Sequence, residues 1–200
     1  MEQGRPVAFV GLTGGMGSGK STALAALSRL GADVISSDAV VHGLYESDQV
    51  RDAVVARFGP QVAPGGVVDR SAVARSAFAT PQDRAWLEGL IWPLVRQAVA
   101  EWLIAARTRT PAPRAAVVEV PLLFEAGQEG IYDATIAVIS DEALRRERAA
   151  ARGHEAVDER AARQLTQEEK ASRATYVARN DGTVDDLERE LSAILVKLEA

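Results

Sequence analysis

The stretch GLTGGMGSGKST, residues 11–22, constrains the fold of this chain more than any other feature. It follows a short apolar run and precedes the helical pattern AALSRL. Glycines allow a tight turn, and the N-terminus of a following helix adds a positive partial charge. The spacing G-x-x-x-x-G-K-[ST] of a phosphate-binding loop is matched by Gly14, Gly19, Lys20 and Ser21. We therefore predict a nucleotide phosphate site here, with an ordinary glycine-rich turn as the alternative.

The side chains of this loop have separate expected roles. Lys20 is expected to reach the β- and γ-phosphates, and the Ser21 hydroxyl is expected to ligate Mg²⁺. The predicted nucleotide-binding residues of the loop are Gly14, Gly15, Gly17, Ser18, Gly19, Lys20, Ser21 and Thr22. The chain has no Asn-Lys-x-Asp motif of the kind GTPases use, and 200 residues leave little room for the further domains of a motor. A small phosphotransferase fits this length.

The composition excludes several other classes of protein. A formal net charge of -5 argues against a general nucleic-acid-binding protein but leaves room for a local basic pocket. The chain has no cysteine, which excludes disulfides, thiolate metal sites and a cysteine nucleophile. No apolar stretch approaches the length of a membrane span, and residues 1–15 lack the pattern of a secretory signal. We expect a cytoplasmic protein without nucleic-acid or membrane partners.

Short β-branched runs alternate with helical patterns, which predicts a parallel sheet covered on both faces. Strands are predicted over residues 7–10, 32–35, 115–120, 134–139 and 176–179. Residues 43–107 are predicted to be a helical insertion in which Pro93 kinks or ends a helix. Residues 141–173 are predicted to be a solvated helical hairpin with a break near residues 152–154. The rest of a single domain, its predicted core, comprises residues 1–42, 108–140 and 174–200.

Asp38 follows the second predicted strand directly, in the stretch Ser36-Ser37-Asp38. Ligands of an open parallel sheet bind beyond the carboxyl ends of its strands, so Asp38 is expected near the phosphate loop. Its carboxylate could accept a proton from an acceptor hydroxyl or hold a Mg²⁺-bound water. Asp38 also suits the N-cap of the helix that AVVHGLYE predicts, and the two roles are compatible.

The whole-chain pattern resembles the dephospho-CoA kinase family, which transfers the ATP γ-phosphate to the ribose 3′-hydroxyl of dephospho-CoA in the last step of coenzyme A synthesis. The resemblance runs from GLTGGMGSGKST to RNDG and includes GADVISSD, VVDRSAVARSAF, ATPQDRAWLEGLIWPLV and VPLLFEAG. It implies a three-layer α/β P-loop kinase fold with a five-stranded parallel sheet, an acceptor-binding helical insertion over 43–107 and a helical lid over 141–173. It also implies ATP and Mg²⁺ as cofactors and dephospho-CoA as the acceptor. We expect a monomer or a small homo-oligomer.

Motif positions of the family carry over to single residues of this chain. By this resemblance Asp38 is the catalytic base for the 3′-hydroxyl, and Glu119 is an acid that suits Mg²⁺ through water, with a structural polar role as the alternative. Leu123 and Phe124 are expected to line the acceptor cleft or else to pack in the core. Arg70 is expected to pair with an acceptor phosphate or else to be solvated at a helix end. Core packing at helical spacing is the favoured interpretation for Trp86, Leu87, Leu90 and Ile91.

The arginine-rich stretch DEALRRERAAARGHE places Arg145, Arg148 and Arg152 three and four residues apart, on one face of a helix. Guanidinium groups bind phosphate oxygens bidentately, but interleaved glutamates are also typical of a solvated, salt-bridged helix. In the family this region is the lid, and the resemblance makes Arg148 and Arg152 catalytic residues that face the phosphates. Gln164 also matches a family position.

The turn Asn180-Asp181-Gly182 matches a family loop beside the adenine of ATP, so Asn180 and Gly182 are expected to contact the nucleotide. The chain also departs from the family. Trp92 stands where relatives commonly have histidine, and Thr175 stands where they commonly have aspartate. Any charge pairing made by that aspartate is lost here.

Two other hypotheses stand beside the kinase for dephospho-CoA. One is a P-loop kinase for another small hydroxyl acceptor, such as a nucleoside monophosphate or a sugar acid. The other is a regulatory nucleotide-binding protein without catalysis. Asp38 and the predicted lid argue against this last class, because nucleotide binding alone requires neither.

Overall fold

The computed structural model describes residues 6–151 and 164–200. The chain divides into two compact units, which are described separately here: unit 1, Met1–Ser36 with Leu103–Ala200, and unit 2, Ser37–Trp102. The described residues of unit 1 form the strands β1 (Phe9–Gly14), β2 (Asp33–Ser36), β3 (Ala116–Glu119), β4 (Ala134–Ile139) and β5 (Tyr176–Arg179). The helices along the described chain are α1 (Lys20–Arg29), α2 (Ser37–Leu44), α3 (Asp48–Phe58), α4 (Arg70–Ala77), α5 (Pro81–Thr108), α6 (Glu142–Ala151), α7 (Gln167–Arg173) and α8 (Val184–Glu199).

The five strands form one parallel sheet in the order β2-β3-β1-β4-β5, with β1 in the middle. Phe9 of β1 lies opposite Ala116 of β3, and Val10 lies opposite Ala134 of β4. Every residue of β1 and β3 is buried, as expected for inner strands of a parallel sheet. Since all strands run the same way, their carboxyl ends share one edge, and the phosphate loop begins at that edge where β1 ends.

The predicted five-stranded parallel sheet is confirmed. The predicted ranges of β4 and β5 coincide with the observed ones, whereas β1 was predicted over residues 7–10 and runs over Phe9–Gly14. Its second half contains glycine and threonine, which a propensity argument assigns to the turn. Gly11 is required inside the strand because a Cβ there would lie 2.5 Å from Leu123 Cδ1 and 2.9 Å from Tyr132 Cδ2. Burial raises the pKa of the Tyr132 phenol to about 12.

The core of unit 1 lies between the sheet and the two helices α1 and α8. It includes Val10 and Leu12 of β1, Leu27 of α1, and Leu191 of α8, all fully buried. Helix α8 begins at a capping box in which Thr183 Oγ1 accepts from Asp186 N at 3.2 Å and Asp186 Oδ2 accepts from Thr183 N at 2.8 Å. The sequence TVDDLERELSAIL therefore specifies both the start of α8 and its apolar face.

Unit 2 is helical in its described structure and has a separate core. That core contains Val50, Val54, Val62, Ala72, Val73 and Ile91, and partly buried side chains that include Trp86, Leu87 and Leu90 pack against it. The core-packing interpretation of these α5 residues is confirmed. Helix α5 continues through Pro93, so Pro93 does not end it. Trp92 is 49% exposed, which places its indole at the surface of α5 and outside this core.

Helices α6 and α7 lie within the segment that was predicted to be a solvated hairpin, and its predicted break at residues 152–154 lies outside the described residues. The expectation of a solvated hairpin is wrong for α7, because Gln167 and Lys170 are buried. Among the residues that the structure describes, no helix combines the length and the apolar character needed to cross a membrane.

Candidate active site

The phosphate loop turns at two glycines whose backbone no other residue adopts easily. Gly17 has φ +75° and Gly19 has φ +92°, both in the left-handed region that favours glycine. A Cβ at Gly17 would also lie 2.5 Å from the carbonyl oxygen of Arg145, and a Cβ at Gly19 would overlap the side-chain amide of Asn180. The glycines of the motif are therefore required by the backbone conformation and by the close approach of two neighbouring segments.

The ammonium group of Lys20 lies at the rim of this loop, as the motif predicts. Lys20 Nζ donates to the carbonyl oxygens of Gly14 and Gly15, each at 3.0 Å, which holds the ammonium across the loop. Gly19 precedes α1 and provides no side-chain cap to it, so the first-turn N–H groups of α1 are not capped by that residue. Such a helix start, with an ammonium beside it, suits an anionic ligand. The loop fits a nucleotide phosphate.

Ser18, Ser21 and Thr22 take different positions in the loop. Ser18 is fully buried, and its hydroxyl has no hydrogen-bond partner among residues 6–151 and 164–200. Ser21, the second residue of α1, is exposed, as a hydroxyl that ligates a metal ion must be. Thr22 is half-buried.

Asn180 fixes the loop from the side of β5. Its side-chain amide is buried and donates to the carbonyl oxygen of Ser18 at 2.9 Å, and its backbone N donates to Ile139 O at 2.9 Å. Arg148 Nη1 in turn donates to Asn180 O at 3.0 Å. The structure thus brings Asn180 and Arg148 together beside the phosphate loop. Gly182 lies against the cap of α8, where a Cβ would be 2.6 Å from Asp186 Oδ2.

Arg145 approaches the glycines of the loop more directly than the motif analysis indicates. Its Nη1 lies 3.3 Å from the position that a Cβ of Gly15 would take, and its backbone borders Gly17. Its Nη2 is 3.4 Å from Glu142 Oε2, and Nε is buried without a hydrogen-bond partner in the described part of the chain. Arg152, the other predicted lid arginine, lies outside the described residues.

Residues 164–170 contact three strand ends. Gln164 Oε1 accepts from Met16 N in the phosphate loop at 3.2 Å, and Gln167 pairs with both the N–H and the C=O of Ser140 after β4, at 2.9 and 2.8 Å. Lys170 is fully buried and donates to Glu125 Oε1 at 2.8 Å and to Pro121 O at 3.0 Å. This segment therefore links α7 to the carboxyl edge of the sheet.

The two acidic positions predicted beside the loop lie at the ends of β2 and β3. Glu119 is the last residue of β3, is buried, and has Leu12 and Ser36 as its register neighbours. Asp38 is exposed in the first turn of α2, which begins at Ser37. Because that helix starts before it, Asp38 is not the N-cap that the sequence suggested, although a carboxylate in a first turn is favourable with the helix dipole.

The donors near the loop are of the type that Mg²⁺ accepts. Mg²⁺ is held in kinases by one or two oxygen ligands of the protein together with substrate phosphates and water. Ser21 and Glu119 are such oxygen donors at the same edge of the sheet. The described residues contain no group of three or more His, Cys, Asp or Glu side chains placed to hold a metal ion.

Three residues predicted on the acceptor side have clear surroundings. Leu123 and Phe124 are 0% and 2% exposed, which supports core packing for both. Arg173 Cζ lies 5.0 Å from the centroid of the Phe124 ring, and its hydrogen bond to Glu129 holds the pKa of that carboxyl below its usual value. Arg70 is exposed at the start of α4, where Asp69 accepts from Ser71 N at 2.9 Å, and lines a pocket of about 270 Å³ within unit 2.

Comparison with known proteins decides the family. A sequence model of dephospho-CoA kinase matches residues 8–186. The chain belongs to the dephospho-CoA kinase family. It is 38% identical to a dephospho-CoA kinase of Thermus thermophilus over 95% of this chain and 91% of the relative, and 39% identical to one of Deinococcus radiodurans over 95% and 92%. The resemblance found in the sequence is confirmed.

Solved structures agree on the fold of this dephospho-CoA kinase family member. The protein TT1252 from Thermus thermophilus superposes with a TM-score of 0.79 at 35% identity, covering 97% of this chain and 99% of that one. A dephospho-CoA kinase from Campylobacter jejuni superposes with a TM-score of 0.64 at 21% identity, covering 96% and 97%. The three-layer P-loop kinase fold is therefore confirmed, and the chain is a kinase.

Sequence reasoning about this kinase missed Lys170, Gln167 and Glu125 as site residues. Lys170 and Gln167 stand in TQEEKASR, whose charge is typical of a solvated helix. Nothing local marks them, because their partners are Glu125 and Ser140, far away in the sequence. The spacing from Gln167 to Lys170, which puts both on one face of α7, was the one available signal.

Proposed function

We propose that this chain transfers the γ-phosphate of ATP to the ribose 3′-hydroxyl of dephospho-CoA, giving CoA, ADP and a proton. The observation that carries the proposal is the phosphate loop, in which Gly17 and Gly19 adopt left-handed backbone at the turn and the Lys20 ammonium spans the rim. The identity of the acceptor is inferred from the family, since its members match this chain along nearly its whole length.

Different residues of this chain bind the phosphates, hold the metal ion and accept the proton in this transfer. Lys20 and the N-terminus of α1 bind the phosphates of ATP and offset their charge. Ser21, with Glu119 through water, would hold Mg²⁺, which neutralises charge on the β- and γ-phosphates when bound. Asp38 accepts the proton of the 3′-hydroxyl as that oxygen attacks the γ-phosphorus in line with the leaving ADP oxygen.

The lid role of residues 141–173 is part of the same proposal. Arg148, together with Arg152, offsets the charge that spreads over the equatorial oxygens during transfer. The hydrogen bond from Arg148 to Asn180 O supports this assignment, because the side chain of the same Asn180 binds Ser18 of the phosphate loop. The arginine is thus held close to that loop. Closure of a helical segment over the phosphates excludes water that would otherwise compete as acceptor. Arg70, in unit 2, is proposed to bind a phosphate of the acceptor within the helical insertion.

The direct test mixes the protein with Mg-ATP and dephospho-CoA and detects CoA by mass. A parallel panel offers nucleoside monophosphates and sugar acids, with ADP release as a common readout. CoA formation supports the proposal. Turnover with another acceptor alone contradicts the assigned acceptor, and ATP binding with no transfer to any acceptor contradicts the enzyme assignment.

The role of Asp38 is tested by Asp38→Asn, with Asp185→Asn as the matched control. Both aspartates are exposed and are the second residue of their helices, α2 and α8, so each substitution removes one charge from a first turn. A general base contributes about 10²- to 10⁴-fold, so Asp38→Asn should lower kcat by that factor while Asp185→Asn leaves it within about twofold. A kcat for Asp38→Asn within a few-fold of the wild type, with the fold intact, would remove the base assignment.

A further inference from the structure

Lys170 is the largest buried charged side chain among the described residues of unit 1, and its position at the carboxyl edge of the sheet requires explanation. It is 0% exposed. Its ammonium donates to Glu125 Oε1 at 2.8 Å, to Pro121 O at 3.0 Å and to Thr13 Oγ1 at 3.4 Å. An ammonium has three N–H donors, so these three contacts use all of them.

These contacts join two segments at the carboxyl edge of the sheet, where ligands of an open parallel sheet bind. The first segment leads into the phosphate loop, and the second follows β3, the neighbour of the strand β2 that leads to Asp38. Thr13 is the residue before Gly14, where the phosphate loop starts, and its hydroxyl donates to Pro121 O at 3.3 Å. Pro121 and Glu125 are the two ends of the PLLFE segment that follows β3. Lys170 therefore binds both ends of this segment and links it to the end of β1, directly before the phosphate loop.

Glu125 extends the same connection toward the lid. Its Oε1 also accepts from Leu165 N at 2.8 Å, just before α7 begins. The neighbouring Gln164 accepts from Met16 N in the phosphate loop at 3.2 Å. Gln164 and Leu165, which lie within the proposed lid segment, are thus hydrogen-bonded to the phosphate loop and to the PLLFE segment respectively.

Stability alone does not account for this arrangement. Moving two charges out of water costs most of what their attraction returns, so a buried ion pair is often no more stabilising than apolar side chains of the same volume. Apolar side chains are already buried in the same segment, since Leu123 and Phe124 precede Glu125 and are 0% and 2% exposed. A buried pair does hold its partners in one fixed geometry, since misplacing either charge leaves it unsolvated.

We propose that Lys170 and Glu125 are positioning residues that couple the phosphate loop to the PLLFE segment, so that ATP and dephospho-CoA each increase the affinity for the other. The pair acts through the backbone of residues 13–16 and 121–125 and touches neither substrate. This inference rests on the proposed function, because it concerns the communication between the two substrates of that reaction.

The test measures the Kd of the ATP analogue adenosine 5′-(β,γ-imido)triphosphate with and without saturating dephospho-CoA. The first variant is Glu125→Gln, which keeps the shape and an acceptor oxygen but removes the charge. The second is the double variant Lys170→Met/Glu125→Leu, whose apolar pair of similar volume leaves no unpaired buried charge. The matched control is Glu199→Gln, which removes the same charge from the Arg114–Glu199 ion pair at the surface of unit 1.

In the wild type, dephospho-CoA should lower the Kd of the analogue by about fivefold or more, as coupled sites commonly do. In both variants of the pair this factor should fall below about twofold, while the Kd of the analogue alone stays within about threefold. A small displacement of the reacting groups should also lower kcat by roughly 10- to 100-fold. Glu199→Gln should retain the coupling factor and the kcat of the wild type.

Three results separate the possible failures. If the wild type makes no CoA, the proposed function fails and this inference with it. If the wild type makes CoA but shows no coupling, or if a folded variant of the pair couples like the wild type, the positioning role is overturned and the function stands. If the pair variants lose thermal stability and analogue affinity together, with the coupling factor unchanged, the pair is structural only.

Discussion

Replacing Gly19 by alanine tests how the phosphate loop is held. The substitution places a Cβ at φ +92°, where an L-residue is disfavoured by roughly 1–2 kcal/mol. The new methyl group also overlaps the side-chain amide of Asn180, which must move and give up its buried hydrogen bond to Ser18 O. An unsatisfied buried amide costs about 1–3 kcal/mol. Gly19→Ala should therefore destabilise the protein by about 2–5 kcal/mol.

Gly31→Ala is the matched control for this substitution. Gly31 has the same φ of +92° at the opposite end of α1, but its nearest neighbours are the flexible Arg114 side-chain carbons at 3.5 and 3.6 Å. Only the backbone cost of roughly 1–2 kcal/mol applies there. The difference between the two variants isolates the contact between the phosphate loop and Asn180.

Thermal unfolding and ATP binding measure the outcome. For a chain of this size each kcal/mol shifts the Tm by about 2–4 °C, so Gly19→Ala should lower it by about 4–20 °C and Gly31→Ala by about 2–8 °C. Gly19→Ala should also weaken ATP binding at least about tenfold, since the loop donors are displaced. Equal losses of Tm in the two variants, together with an unchanged ATP Kd in Gly19→Ala, would refute the role assigned to Asn180.

Three further substitutions test features of unit 1 outside the phosphate loop. Burial raises the pKa of the Tyr132 phenol from 10.0 to about 12, so its contribution to stability is complete below about pH 10 and is lost as the pH rises through 12. Tyr132→Phe should therefore lose less stability than the wild type between pH 9 and pH 11, as measured by urea titration. Parallel losses of stability in the two proteins would contradict this prediction. Thr183→Ala removes the N-terminal cap of α8 and should lower the free energy of unfolding by about 1 kcal/mol, which lowers the Tm by about 2–4 °C. Thr166→Ala removes the equivalent cap of the shorter α7 and tests whether losing such a cap costs the same there.

Several parts of the fold could be predicted because their signals are local. The β-branched runs of β4 and β5 gave their observed ranges, and the motif from Gly14 to Ser21 defined the turn and the helix start. The second half of β1 could not be predicted from composition. Gly11 pairs with both β3 and β4, whereas Thr13 and Gly14 pair with β4. These partners are distant in the sequence, so local composition does not reveal them.

The residues of the candidate site likewise divide into those that a local motif predicts and those that only the folded chain brings together. Lys20, Asn180 and Arg148 come from motifs, and the structure places all three around the loop. A local argument does not reveal Lys170, because a lysine that follows two glutamates in a short helix is normally solvated. Its burial depends on Glu125 and Pro121, which only the assembled sheet brings to it.

Thr175 departs from the family pattern, and a reciprocal hydrogen-bonded pair with Thr135 compensates for the missing charged side chain. Where an aspartate is common, this chain places a threonine whose hydroxyl accepts from Thr135 N at 3.0 Å, while Thr135 Oγ1 accepts from Thr175 N at 3.0 Å. The two threonines thus satisfy each other's backbone N–H groups at the start of the β4–β5 pairing. A neutral reciprocal pair replaces the charge that the resemblance predicted to be lost.

The order of the strands has a consequence for synthesis on the ribosome. β1 and the phosphate loop are made first, yet both neighbours of β1 are made late: β3 begins at Ala116, and the pairing with β4 ends where Gly14 meets Val138. Until residue 138 has left the ribosome, Thr13 and Gly14 lack the β4 residues with which they pair at the start of the loop. ATP can therefore stabilise the loop only in chains that extend beyond residue 138, and ligand-linked stability would favour these over shorter chains.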